Sequence, residues 1–186
     1  MRTFIAVNVS DETRTVAQRM IRRIDEANVG AKCVQTPNLH ITLKFLGEVQ
    51  VERTPEICSA VQKAAQSTLS FSLECGGLDA FPDRAHPRTV WMGVQSGHEA
   101  LMQLQQRIDQ ETRQLGYQGE SRQYHPHLTL ARIRASLENV RPLQEVFQQF
   151  DPGPCRETWI DEVLVYGSFM QRGMPSYEVL GRSRLR

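Results

Sequence analysis

The chain contains no apolar run approaching the 18 or more residues that a membrane-spanning helix needs. Its N-terminal apolar stretch is too short for a signal peptide and meets Asp11 and Glu12 at once. The four cysteines, Cys33, Cys58, Cys75 and Cys155, are scattered, with no C-x-x-C pair. That spacing speaks against a disulfide framework or a zinc site and for reduced thiols in the cytoplasm. The formal net charge is +1, which argues against a protein that grips long duplexes by backbone charge alone. Room remains for a small phosphate-bearing ligand or an RNA end. Gly-rich nucleotide loops, low-complexity tracts and linkers are all missing. The expectation is therefore one domain, or two intimately packed lobes, over residues 1–186, with a lobe boundary not readable, acting as a monomer without an obligate protein partner.

What the chain does have is a repeat. Asn38-Leu39-His40-Ile41-Thr42-Leu43-Lys44-Phe45-Leu46-Gly47 carries His, apolar, Thr, apolar, and so does His127-Leu128-Thr129-Leu130 far downstream. Successive side chains of a strand point to opposite faces, so each copy sets an imidazole and a hydroxyl side by side, with its apolar residues turned into a core. One copy alone reads as a half-buried strand whose histidine bonds a neighbour. A shuffled chain of this composition would yield His-x-Thr-Leu about 0.03 times, so two copies in opposite halves demand another reading.

Around the motifs the pattern alternates between strands and helices. Phe4 to Val9 reads as a buried strand, followed by a helix that Ser10 or Asp11 can cap and whose apolar residues Val16, Met20, Ile21 and Ile24 recur at helical spacing. Asn28-Val29-Gly30 ends it. A second helix is predicted over about 54–67, then a strand over 69–75 that stops at Gly76-Gly77, a loop from Phe81 to Pro87, and a strand over 89–94. Leu101, Leu104, Ile108 and Leu115 mark a third helix closed by Gly116; Ser136 can cap a fourth carrying Val140, Leu143, Val146 and Phe147, which ends before Pro152-Gly153-Pro154. Strands over 159–168 and 177–180, joined through Arg172-Gly173-Met174-Pro175, close the chain.

Two imidazoles across a cleft form an acid–base pair, because histidine exchanges its proton near neutral pH. A threonine two residues on can donate to a phosphate oxygen. Such a site needs no metal and no cofactor. Lys44 shares the parity of His40 and Thr42, so an unbroken strand aims it into the cleft; the alternative is a solvated lysine at the strand end. Arg132 has the opposite parity to His127 and Thr129 and reaches the site only if the strand bulges. Tyr124 can stack on a nucleobase. Phe45 and Trp91 read as core residues, and His86 and His98 as exposed ones.

The segments His40-Ile41-Thr42-Leu43-Lys44-Phe45-Leu46-Gly47 and Pro126-His127-Leu128-Thr129-Leu130-Ala131-Arg132 resemble the paired H-x-T-x motifs of the two-histidine phosphoesterases, in particular the RNA 2′,3′-cyclic phosphodiesterase (2′-5′ RNA ligase) family. Arg2-Thr3-Phe4-Ile5-Ala6, Phe81-Pro82, Val90-Trp91-Met92-Gly93-Val94, and Ser168 with Gly173 and Tyr177 are similar to the family as well; His125 departs from the motif. The resemblance implies an α+β, bilobal fold: two antiparallel sheets facing a central cleft, helices outside, and a pseudo-twofold repeat. It implies hydrolysis of RNA or nucleotide 2′,3′-cyclic phosphate to a 2′-phosphomonoester, and at most weak 2′-5′ ligation in reverse. His40 would be the proton donor and His127 the proton acceptor, with Thr42 and Thr129 on phosphate oxygens and Arg132 on substrate.

Three rivals are kept. His125, His127 and His40 could form a three-histidine metal site. The fold could be a non-catalytic module that binds RNA ends. Within the family, the substrate could be a 2′-5′ oligonucleotide or a small cyclic nucleotide metabolite.

Overall fold

The computed structural model describes residues 1–119, 123–133, 140–149, 156–171 and 174–186. In chain order they form β1 (Arg2–Asn8), α1 (Asp11–Glu26), β2 (Ala31–Cys33), β3 (His40–Glu48), α2 (Thr54–Gln66), β4 (Phe71–Phe81), β5 (Thr89–Ser96), α3 (His98–Gln114), β6 (His127–Ile133), α4 (Arg141–Gln148), β7 (Arg156–Ile160), β8 (Glu162–Gln171) and β9 (Met174–Arg184). The proposed cap Ser136, the Pro152-Gly153-Pro154 stop, Cys155 and the Arg172-Gly173 turn lie outside the described residues.

The strands are ordered β7-β4-β5-β6-β3-β1-β8-β9, with β2 also on β6, and every pairing is antiparallel. The two expected sheets are the two flanks of this one sheet. They meet where Ile41 of β3 pairs with Leu128 of β6. Each flank contributes one His-x-Thr strand to the seam, which is the pseudo-twofold arrangement the resemblance implied.

The described helices pack against one face of the sheet. α2 and α3 pack beneath β3, β8 and β9, while α1 and α4 lie together, with α1 beneath β6 and β7. α3 thus leaves β5 in one flank, crosses beneath β3 in the other, and the chain then returns to β6. The predicted periodicity of α1 holds: Val16, Met20 and Ile24 are buried, and Ser10 is the cap, its Oγ accepting from the Thr13 amide at 3.2 Å. Ile5, Val7, Ile41, Leu43, Ile57, Val61, Leu104, Leu128 and Leu130 join one core cluster beneath the sheet. Burying each such side chain contributes about 1.5–3 kcal/mol. No described helix is long and apolar enough to cross a membrane.

Two strand predictions are corrected. β4 does not stop at Gly76-Gly77 but continues to Phe81, because these glycines form a bulge: the register shifts between Gly76 and Leu78, and Gly77 takes φ +70°. The run expected as a single strand over 159–168 breaks at Asp161. Its first half pairs with β4 and its second with β1 and β9, at opposite ends of the sheet. The short strand β2 lies between the first helix and the first motif, where no element was predicted.

The seam is the packing site on which both flanks converge. Leu128 is fully buried there, so Leu128→Ala is expected to cost about 2–5 kcal/mol. The check is a lower urea midpoint with an unchanged m-value.

Candidate active site

Ile41 and Leu128 point into the core, so the residues beside them in each strand point to the open face. The antiparallel register puts His40 on the Thr129 side of the seam and Thr42 on the His127 side. All four are half-buried on that face. The structure thus brings together both members of the repeat.

Each histidine is held by the carbonyl two residues ahead of it. His40 Nδ1 lies 2.7 Å from Asn38 O, and His127 Nδ1 lies 2.7 Å from His125 O. A carbonyl can only accept, so Nδ1 carries the hydrogen and Nε2 is the nitrogen left to gain or lose a proton. His40 Nε2 sits 3.1 Å from Thr42 Oγ1.

The two imidazoles differ in their surroundings. His40 stacks on Phe4 with ring centroids 4.8 Å apart and meets Tyr177 edge-on at 5.5 Å, while Tyr166 closes the wall. A cavity of about 50 Å³ adjoins it, lined by Asn8, Asn38, Tyr166 and Tyr177 among others. Tyr166 donates to Asn8 Oδ1 at 3.1 Å, which fixes its ring. Desolvation in this aromatic wall holds His40 down to a pKa of about 4; the Asn38 carbonyl opposes the shift, and the charges of Arg14 and His127 add to it. His127 instead meets Phe81 edge-on at 5.1 Å, with Trp91 at 5.9 Å.

The remaining candidates divide according to two β-bulges that the motif strands share. Between β1 and β3 the register jumps from Ile5–Lys44 to Ala6–Thr42, which leaves Leu43 extra. Between β5 and β6 it jumps from Val90–Ala131 to Trp91–Thr129, which leaves Leu130 extra. A bulge inverts side-chain parity beyond it. Lys44 is therefore turned away from the cleft, a correction to the unbroken-strand expectation, and it is not solvated either. It is only 5% exposed and is paired beneath the sheet with Asp109 at 2.7 Å. Removing one partner of a buried pair like this typically costs about 3–5 kcal/mol.

The same inversion carries Arg132 onto the open face, where its charge is felt by the Tyr177 hydroxyl. The bulge that Arg132 needed is present. Phe45 corrects the core expectation: it is 51% exposed on the open face, 6.0 Å from Phe4. Phe45 and Arg132 hold the same place in the two motif strands, five residues beyond their motif histidine. Trp91 is buried as expected but forms part of the open-face floor beside His127. Tyr124 is not poised for stacking through a free edge, because its hydroxyl donates to Thr42 O at 2.9 Å and burial pushes its pKa up. Phe4, Asn8, Tyr166 and Tyr177 were missed, as they come from strands distant in sequence from either motif.

His125 turns its ring against Trp91 (4.9 Å) and Phe81 (5.6 Å). Among the described residues no three His, Cys, Asp or Glu side chains converge as a metal-ligand group.

Two strands of opposite flanks each present an imidazole backed by a carbonyl with a hydroxyl beside it, the arrangement that the resemblance to the two-histidine phosphoesterases led one to expect. Residues 13–167 match the family model of the 2′-5′ RNA ligase superfamily, to which the chain belongs. It is 30% identical over 180 residues to the RNA 2′,3′-cyclic phosphodiesterase of Thermotoga maritima, covering 97% of this chain and 93% of the relative. The RNA 2′,3′-cyclic phosphodiesterase of Methanothermobacter thermautotrophicus is 32% identical, with 95% of each chain covered. Among solved structures, TT0787 of Thermus thermophilus superposes with a TM-score of 0.82 at 24% identity, covering 100% of this chain and 98% of that one. E. coli LigT complexed with 3′-AMP gives 0.77 at 25% identity, with coverage of 99% and 97%.

His40 supplies a pH signature. Its folded value of about 4 lies below its ordinary 6.5. The unfolded chain therefore binds more protons between those values, and stability falls as pH drops through that window. An NMR titration of the free protein is expected to show one imidazole titrating near pH 4, absent in His40→Gln. The pH dependence of the denaturation midpoint should flatten in the same variant.

Proposed function

We propose that the chain acts as one two-lobed RNA 2′,3′-cyclic phosphodiesterase. It would hydrolyse a terminal 2′,3′-cyclic phosphate to a 2′-phosphomonoester by metal-independent general acid–base catalysis between His40 and His127. The observation that carries this reading is the paired placement of the two imidazoles, each with Nδ1 tied to a carbonyl and a threonine hydroxyl beside it on the same face. The named activity of the relatives over nearly the whole chain supports it.

In the forward reaction a water oxygen bonds to phosphorus and the bond from phosphorus to O3′ breaks. His127 accepts the proton that the water loses, and His40 delivers a proton to O3′. Thr42 and Thr129 donate to the non-bridging oxygens, and Arg132 neutralises charge on the substrate. His40 rests neutral near pH 7 in the free site, which suits a base better than an acid. An anionic phosphate beside the ring favours the imidazolium, so substrate binding itself is what arms the donor. Run backwards, the same steps join a 2′-phosphate to a hydroxyl, weakly, because no energy source drives them.

The test is hydrolysis, in EDTA, of a short RNA ending in a 2′,3′-cyclic phosphate. Wild type is expected to form the 2′-phosphate with a bell-shaped pH–rate profile, since one imidazole must be neutral and the other charged. His40→Ala and His127→Ala should each lose about 10²–10⁴-fold in kcat. Loss of wild-type activity in EDTA would favour a metal site; binding of the RNA end without turnover would favour a non-catalytic module. A 2′-5′-linked dinucleotide and a mononucleoside 2′,3′-cyclic phosphate, assayed in parallel, separate the substrate classes within the family.

A further inference from the structure

Proton transfer through two imidazoles requires that their strands be held at one spacing, yet β3 and β6 share only the Ile41–Leu128 bridge. The shared core beneath holds the register of that seam, but a single bridge leaves the spacing of the two strands on the open face to whatever else spans it. The chain leading from α3 into β6 delivers His127, and β3 grips that chain at two points. Lys44 Nζ donates to the Tyr117 carbonyl at 2.8 Å and to Asp109 Oδ1 at 2.7 Å. The Tyr124 hydroxyl, three residues before His127, donates to the Thr42 carbonyl at 2.9 Å.

We propose that Lys44 and Tyr124 are positioning residues that set the distance between the two motif strands. They clamp the strand bearing His40 to the backbone that presents His127. This rests on the reading of His40 and His127 as the acid–base pair.

The surroundings of both grips are built for stiffness. Asp109 is held from its other oxygen by Arg113 Nε at 2.7 Å, so Lys44 meets a carboxylate that is already oriented. Arg53, just ahead of α2, lies 4.9 Å above the Tyr117 ring and donates to the Leu115 carbonyl at 2.9 Å, which ties down the same turn. The lysine side chain is almost entirely out of water. A surface lysine would make neither contact. The bulge at Leu43 makes the two grips compatible, since it sends Lys44 beneath the sheet while the Thr42 side chain stays on the open face beside His40. The same residue whose hydroxyl faces His40 Nε2 thus receives Tyr124 on its carbonyl. Displacement on either side of the bulge moves a group at the reaction centre.

The test compares Tyr124→Phe, Lys44→Met, His40→Ala and His127→Ala on a short RNA ending in a 2′,3′-cyclic phosphate, with folding checked by circular dichroism. Small misplacements of reacting groups cost up to about 100-fold. Tyr124→Phe and Lys44→Met are therefore expected to lose about 10–100-fold in kcat with KM within about threefold of wild type. A residue that only stabilises the fold would leave kcat of the folded protein unchanged. The clamp is overturned if the histidine variants are inactive while both folded clamp variants keep kcat within about twofold, or lose activity in KM alone. If the histidine variants stay active, the acid–base reading has failed instead. Should Lys44→Met not fold, Tyr124→Phe, which loses a single oxygen atom, decides by itself.

Discussion

The bridge between Ile41 and Leu128 is the contact on which the rest of the site depends. It makes one sheet of two flanks, so both His-x-Thr pairs look out of the same face. Because side chains alternate with period two, a slip of one residue at this bridge would drive an imidazole into the core and an isoleucine or leucine into the cleft. The register is held by burial: Ile41 and Leu128 are both fully enclosed by the helices beneath. Hydrophobic burial on one face thereby specifies polar chemistry on the other.

Beyond the bridge, paired bulges at Leu43 and Leu130 separate two successive parts of opposite parity in each motif strand, and β3 shifts register once more between Phe45 and Gly47. The first part carries histidine and threonine. The second carries Phe45 on one flank and Arg132 on the other, so the repeat is symmetric in its chemistry and asymmetric at its ends. An aromatic ring at one end and a guanidinium at the other give the cleft a direction, which an asymmetric ligand such as a nucleotide can use. The walls also differ across the pair: Phe4, Tyr166 and Tyr177 stand around His40, while Phe81 and Trp91 stand beside His127.

Much of this was legible in advance where the physics is local. The helical spacing of Val16, Met20 and Ile24 needs only the residues themselves, and so does the cap at Ser10. The parity of His40 with Thr42, and of His127 with Thr129, follows from the pleat of any strand. Lys44 and Phe45 were misplaced for one reason: parity counting assumes an unbroken strand, and nothing in Leu43-Lys44-Phe45 announces a bulge. Gly76-Gly77 did announce an irregularity, but a glycine pair marks a strand end and a bulge alike. Only the partner strand distinguishes them.

The sequence by itself determined which chemistry the protein carries, two imidazoles and two hydroxyls in matched strands, because that information resides in residue type and a spacing of two. Tertiary structure alone decided where those groups are brought together. It paired Ile41 with Leu128 across more than 80 intervening residues, enclosed His40 in rings from β1, β8 and β9, and buried Lys44 against Asp109 of α3. These are long-range contacts whose energy comes from desolvation and close packing. No local pattern encodes them, since each partner is chosen by the shape of a sheet that exists only once the chain has folded.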